Sequence, residues 1–241
     1  MKSQLKLAGL ALALSCSALT AQAANVTLTT WAFGTGNSVA VVGTHPYSGK
    51  AGGFVGSLVG AGSFDNNPFI TYCIELTESF NFGGSAMTGY AVVDGADYFL
   101  RRYNDASKSD QLGRLMTYAY GDAARVDTAA ESTSLQLAIW NVIYDTDQNV
   151  TARGASFRDT SIYGGYADTL LAGGAATLTS RFNVYALERA GSQDFLLLSA
   201  ISTPQSGNSS IPEPASLALA MLALGVAGAA TRRKPISVAA A

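Results

Sequence analysis

The sequence predicts an α+β fold, a β-sandwich or barrel with an inserted helical subdomain, between an N-terminal signal peptide and a short C-terminal transmembrane helix. Three observations predict it. Residues 26–93 and 181–201 hold runs of β-branched and aromatic residues parted by Gly-rich turns, the composition of strands. Between residues 95 and 172 the apolar spacing changes to the helical period. Both ends carry short apolar segments next to positive charge. Strands, then helices, then strands again are the order of a β body interrupted by helices.

The chain opens with Lys2 and Lys6, an apolar run from Leu7 to Leu14, and Ala21-Gln22-Ala23. A positive start, a short apolar core and an A-x-A site are the three parts of a secretory signal. Eight apolar residues are too few to span a bilayer as a helix. Cleavage is expected after Ala23, which makes 1–23 the signal peptide. The alternative is a lipoprotein site at Cys16, where Leu14 stands at a position usually small.

Strands are expected at Val26–Trp31, Val39–Val42, Phe54–Val59, Phe69–Leu76 and Tyr90–Val93. Helices follow at Ala96–Tyr103, Gln111–Tyr120 and Ala129–Tyr144, with another over Ile162–Leu171 interrupted by Gly164-Gly165. Arg181–Leu187 and Phe195–Ile201 return to strand, with a turn at Ala190-Gly191-Ser192. Residues 24–205 are expected to form the extracellular domain; the roughly 185 residues with its linker suffice for one domain with a real core or for two small subdomains.

From Ala24 to Ile211 there are ten Lys and Arg against sixteen Asp and Glu, a net charge of −6. Such a surface has no footprint for nucleic acid. Cys16 leaves with the signal peptide, so Cys73 is alone after export. A single thiol in an oxidising compartment is an intermolecular link or a reactive group. With one His, His45, and one Cys, a zinc site lacks its usual ligands. No metal or cofactor is expected. A Cys73–His45 hydrolase pair is conceivable, but His45-Pro46 reads as a surface turn between strands. Asp145-Thr146-Asp147-Gln148-Asn149 resembles the start of a calcium loop, yet Val150 and Ser156 stand where Gly and Glu are needed. It reads as a helix end and turn. Tyr98, Phe99, Tyr103, Tyr118 and Tyr120 could line a glycan surface, but their helical spacing reads as core.

The polar linker 206–211 follows this domain, and after it come Pro212-Glu213-Pro214, an uncharged run from Ala215 to Ala230, and Arg232-Arg233-Lys234. Sixteen helical residues rise roughly 24 Å, short of a hydrocarbon core of about 30 Å. The basic cluster keeps the C-terminal side cytoplasmic and the domain outside. These three parts, over 212–234 with a transmembrane helix at 215–230, resemble the PEP-CTERM sorting signal. The resemblance implies an exosortase-like transpeptidase as partner, a precursor held in the inner membrane of a Gram-negative bacterium, and an association with exopolysaccharide and biofilm matrix. The tail 235–241 is longer than that pattern.

Two residues sit oddly for their patterns. In Phe69–Leu76 alternate side chains face opposite ways, so Ile70, Tyr72, Ile74 and Leu76 share an apolar face. Cys73 lies on the other face with Thr71 and Glu75, not where a core thiol belongs. In the helix Ser134–Asp145, Ser134, Ala138, Asn141 and Asp145 form the small or polar face, while Gln136 lies between Ile139, Trp140 and Ile143. A buried amide costs stability unless it finds a partner.

Tyr72-Cys73-Ile74-Glu75 and Leu135-Gln136-Leu137-Ala138-Ile139-Trp140 together resemble the paired motifs of thioester surface domains. The resemblance implies an internal thioester between Cys73 and Gln136, with Tyr72, Glu75 and Trp140 supporting it, open to attack by an amine-bearing surface partner. Leu135 stands where the family has Thr. The expected function is therefore a noncatalytic cell-surface or matrix adhesion protein, not an enzyme. The alternative is a non-covalent module for exopolysaccharide or matrix structure, and a secreted hydrolase ranks third because no acid–base constellation is evident.

Overall fold

The computed structural model describes residues 23–201; the signal peptide, linker, sorting signal and tail lie outside the described residues. Nine strands and four α-helices make an α+β body among them. Six strands form an antiparallel sheet in the order β5-β4-β1-β6-β8-β9: β1 (Ala24–Trp31), β4 (Phe54–Val59), β5 (Asn66–Thr71), β6 (Met87–Asp94), β8 (Phe182–Glu188) and β9 (Phe195–Ala200). Central strand β1 alternates as its sequence dictates, with Ala24, Val26 and Leu28 fully buried. A bulge between Leu28 and Thr30 shifts its register against β4, which increases local twist. The sheet curls until its edge strands touch at a single bridge, Cys73 to Phe195, and is open along the rest of those edges.

Three further strands, β2 (Asn37–Gly43), β3 (Tyr47–Ala51) and β7 (Phe157–Asp159), form a smaller antiparallel sheet in the order β3-β2-β7. Neither β3 nor β7 is among the expected strands. The segment Tyr-Ser-Gly-Lys-Ala has no β-branched residue, and β7 is only three residues long. Both are edge strands, stabilised by pairing to β2 and not by local propensity.

The helices are α1 (Gly95–Tyr103), α2 (Ser107–Ala119), α3 (Ala129–Tyr144) and α4 (Gly164–Ala176). The Asp94 carboxylate caps α1 by accepting from Ala96 and Asp97 N–H. Thr128 and Glu131 form a reciprocal capping box at the start of α3. The pair Gly164-Gly165 does not interrupt α4 but begins it. A Cβ at Gly164 would lie 2.9 Å from Thr151 Cγ2, so the first turn can pack closely there only as glycine.

Helix α3 is the centre of the molecule. Every residue from Ser132 to Ile143 is buried, because α2, α4 and all three strands of the small sheet pack around it. The expected polar face is therefore an interior one. Ser134 Oγ lies 2.9 Å from the Tyr163 carbonyl oxygen, and Asn141 Nδ2 donates to Asp147 Oδ1 at 3.4 Å. Tyr98 and Phe99 are fully buried, with Tyr103, Tyr118 and Tyr120 packed against the core, so this aromatic set is structural. Residues 145–149 end α3 in turns, with Asp145 accepting from Phe157 N–H at 2.8 Å.

Asp194, just before β9, ties the sheet to α1. It is 1% exposed and accepts from Tyr98 Oη at 2.7 Å, Arg189 N–H at 2.9 Å and Arg102 Nη2 at 3.4 Å. Burial outweighs these donors and pushes its carboxyl up to about 6 from 3.8. The folded chain then holds this proton more tightly than the unfolded chain. That stability is fully present below the unfolded value and lost as pH rises through about 6. Urea midpoints are expected to rise from pH 7 to pH 5, and Asp194→Asn should flatten that rise. An Asn variant with the same pH dependence as wild type would assign it elsewhere.

Candidate functional site

The site is built where the expected strand Phe69–Leu76 departs from regularity. β5 stops at Thr71, and Tyr72–Ile74 continue as a single bridge to β9. Leu196 N–H donates to the Tyr72 carbonyl at 2.9 Å, and Ile74 N–H to that of Asp194 at 3.1 Å. These two bonds flank Cys73 and Phe195, which makes them a non-hydrogen-bonded pair. The N–H and C=O of Cys73 therefore face away from β9, where a further strand would normally satisfy them.

Gln136 takes that strand's place. Cys73 N–H donates to Gln136 Oε1 at 2.9 Å, and Gln136 Nε2 donates to the Cys73 carbonyl at 2.8 Å. One carboxamide thus supplies the acceptor and the donor of a missing ladder. The amide on the apolar face of α3 finds its partner, and that partner is the backbone of the expected cysteine. Two neighbouring residues complete the seam. Ser132 Oγ accepts from Gly53 N–H at 2.8 Å and lies 3.3 Å from Tyr72 Oη. Thr133 Oγ1 lies 2.8 Å from the Ala51 carbonyl oxygen and accepts from Asn37 N–H at 3.1 Å. Tyr72 packs so tightly over Gly53 that a Cβ there would stand 2.8 Å from its ring.

The expected polar face of this strand is not solvated. Thr71, Cys73 and Glu75 are buried together with Tyr72 and Ile74, whereas Ile70 is 42% exposed. The alternation fails because α3 covers one side of the segment and the sheet covers the other. Burial, reinforced by the nearby negative charge of Glu75, holds the Cys73 thiol far above its ordinary pKa. Burial likewise pushes Tyr72 up to about 12.

Cys73 and Gln136 border a cavity of about 310 Å³, at the lower end for small-molecule sites. Its walls are aromatic. Trp31 and Phe54 have ring centroids 4.5 Å apart, Phe80 and Phe82 lie 5.1 and 5.5 Å from Phe54, and Tyr47 packs 5.0 Å from Trp140. Glu75, Glu78 and Gln193 also line it. Gln193 Nε2 donates to the carbonyls of Glu75 and Asp194 at 2.9 and 3.0 Å. Nothing in the local pattern singles out Gln193, Ser132 or Thr133; only the packing of three distant segments brings them here. His45 is elsewhere, tilted against Tyr144 with centroids 4.5 Å apart and bordering a separate concavity with Lys108 and Asp145.

The sorting residues Pro212, Glu213, Pro214, Arg232, Arg233 and Lys234 lie outside the described residues. A family model, the PEP-CTERM protein-sorting motif, matches residues 210–234. No curated protein matches the chain. The motif implies an exported protein with a membrane-anchored precursor, and an exosortase as its processing partner.

Proposed function

We propose that the exported domain is a cell-surface or matrix adhesion module whose Cys73 and Gln136 join as an internal thioester. Export relies on the signal peptide 1–23, and anchoring before processing on the helix 215–230. The observation that carries the reading is the reciprocal pairing of the Gln136 carboxamide with the backbone of Cys73, at the wall of an aromatic-lined cavity. The step balances simply. The thiol sulfur bonds to the carboxamide carbon, the C–N bond breaks, and the thiol proton leaves with the nitrogen as ammonia. The thiolate is the nucleophile in such a step, so the Cys73 proton must pass to the leaving nitrogen as the sulfur attacks, a transfer that burial of the thiol makes more demanding. An amine partner would then take the acyl group as an amide and regenerate the thiol.

The test is the intact mass. The linked domain weighs one ammonia less than its sequence, resists thiol alkylation before denaturation, and gains methylamine on incubation. Cys73→Ala and Gln136→Ala each abolish the adduct. Full sequence mass in freshly exported protein would refute the linkage. The aromatic walls favour a second reading, a non-covalent module that stacks a saccharide of the exopolysaccharide on the half-buried Trp31.

A further inference from the structure

Asn-x-Ser/Thr triplets occur at Asn25-Val26-Thr27, Asn149-Val150-Thr151 and Asn208-Ser209-Ser210. In an exported chain such a triplet can accept an N-linked sugar where it lies on the surface. The third lies outside the described residues, and the structure separates the other two. Asn25 sits in the central strand β1, paired with Val59 of β4 on one side and Thr88 of β6 on the other, and Val26 is fully buried. A backbone closed into ladders along both edges enters another enzyme's active site only if the sheet is broken.

The second triplet follows α3 in a turn. Residues 146–149 and Thr151 are exposed, whereas Val150 is fully buried and fixes the turn to the body. Gln148 has a φ of 54°, in the left-handed region, which closes a tight turn just before Asn149. Asp147 Oδ1 accepts from Asn149 N–H at 3.0 Å, and Asp168 Oδ1 from Val150 N–H at 2.6 Å. Asn149 Oδ1 accepts from Thr151 N–H at 3.0 Å and lies 3.0 Å from the Thr151 hydroxyl, which also lies 2.6 Å from Asp168 Oδ2. A backbone N–H can only donate, so the carboxamide oxygen is the arm turned toward residue 151. The other arm, Nδ2, has no hydrogen-bond partner among the described residues, and its side chain is exposed.

We propose that Asn149 carries an N-linked glycan, added after export. The step is a displacement. Asn149 Nδ2 bonds to the anomeric carbon of the sugar, and the bond from that carbon to a diphosphate oxygen breaks. The diphosphate leaves with the electron pair, and one Nδ2 proton passes to a general base of the transferase. Nucleotide sugars stay in the cytoplasm, so the donor outside it is an oligosaccharide on a lipid diphosphate. Thr151 is the positioning residue, because its hydroxyl already meets the carboxamide that reacts. The modification is independent of the Cys73–Gln136 linkage.

The experiment takes the full chain after export from its own bacterium. The peptides holding Asn25 and Asn149 are fragmented by electron transfer, which leaves a sugar on the residue that carries it. The Asn149 peptide is expected to exceed its sequence mass by whole hexose or N-acetylhexosamine units, all on Asn149, with none on Asn25. Asn149→Gln and Thr151→Val should each lose the sugar, and Thr151→Ser, which keeps the hydroxyl, should retain it. A chain without residues 2–23, kept inside the cell, should carry none. Because Thr151→Val also removes a contact with Asp168, the wild-type peptide and the Ser variant decide the matter if that variant misfolds. A wild-type peptide at its bare sequence mass overturns the proposal. So does sugar that persists in Thr151→Val, that sits on a neighbouring Ser or Thr, or that appears on Asn25 as well. Sugar on the chain kept inside would overturn the lipid-linked donor. A bare Asn149 leaves the thioester reading standing, and an unlinked Cys73 and Gln136 leave this one standing.

Discussion

Gln136→Leu is expected to unfold at lower urea than Cys73→Ala, by about 2–5 kcal/mol, although both variants remove the same candidate linkage. The reason is where the amide goes. Cys73→Ala leaves a peptide N–H and C=O at position 73, and Gln136 can still pair with both. Gln136→Leu strands both groups in a buried site, each at about 1–3 kcal/mol. The linkage adds a separate effect shared by both variants. Closing a loop whose ends are 63 residues apart restricts the unfolded chain by about 4 kcal/mol in the cross-link model. Wild type should therefore exceed Cys73→Ala by about that amount if the bond forms. A Cys73→Ala variant as stable as wild type would leave only the hydrogen bonds. Equal midpoints for the two variants would show that Gln136 is not satisfying the backbone of residue 73.

Changing Pro212-Glu213-Pro214 to three alanines is expected to abolish maturation while leaving export intact. The triplet lies within the matched sorting motif at 210–234. Without it the apolar run and basic cluster still hold the precursor in the membrane, so it should accumulate there at its unprocessed mass. Pulse-chase labelling with cell fractionation reads both outcomes. Processing at the wild-type rate would remove the triplet from the recognised signal, and a precursor retained in the cytoplasm would show that the change had damaged export.

Helix α3 was legible because its apolar stretch is too long for a strand, and its bounds, Ala129–Tyr144, agree with the expected ones. β4 was legible for a related reason: Phe54–Val59 is a compact run between glycines. The small sheet was not, since β3 and β7 exist only through their pairing with β2. At the site, one half of the relation could be read. An amide among Ile139, Trp140 and Ile143 must have a partner. That the partner is main chain, made available by an alternation of the Cys73–Phe195 bridge, depends on strand pairing between segments over a hundred residues apart. Burial of Thr71, Cys73 and Glu75 was hidden for the same reason: a strand's period tells which residues share a face, but not whether another element covers it.

The bridge at Cys73 also fixes how the domain would carry tension. Phe195, which faces Cys73, begins β9, and Ala200 at its far end leads toward the C-terminal anchor. A partner held in the cavity and an anchor pulling at residue 201 would draw β9 along its own length. The six β8–β9 pairs, Phe182 with Ala200 through Leu187 with Phe195, lie across that direction, because antiparallel hydrogen bonds run perpendicular to the strands. They would be loaded together in shear and not opened one after another like a zip, so the strand nearest the anchor resists detachment as a unit.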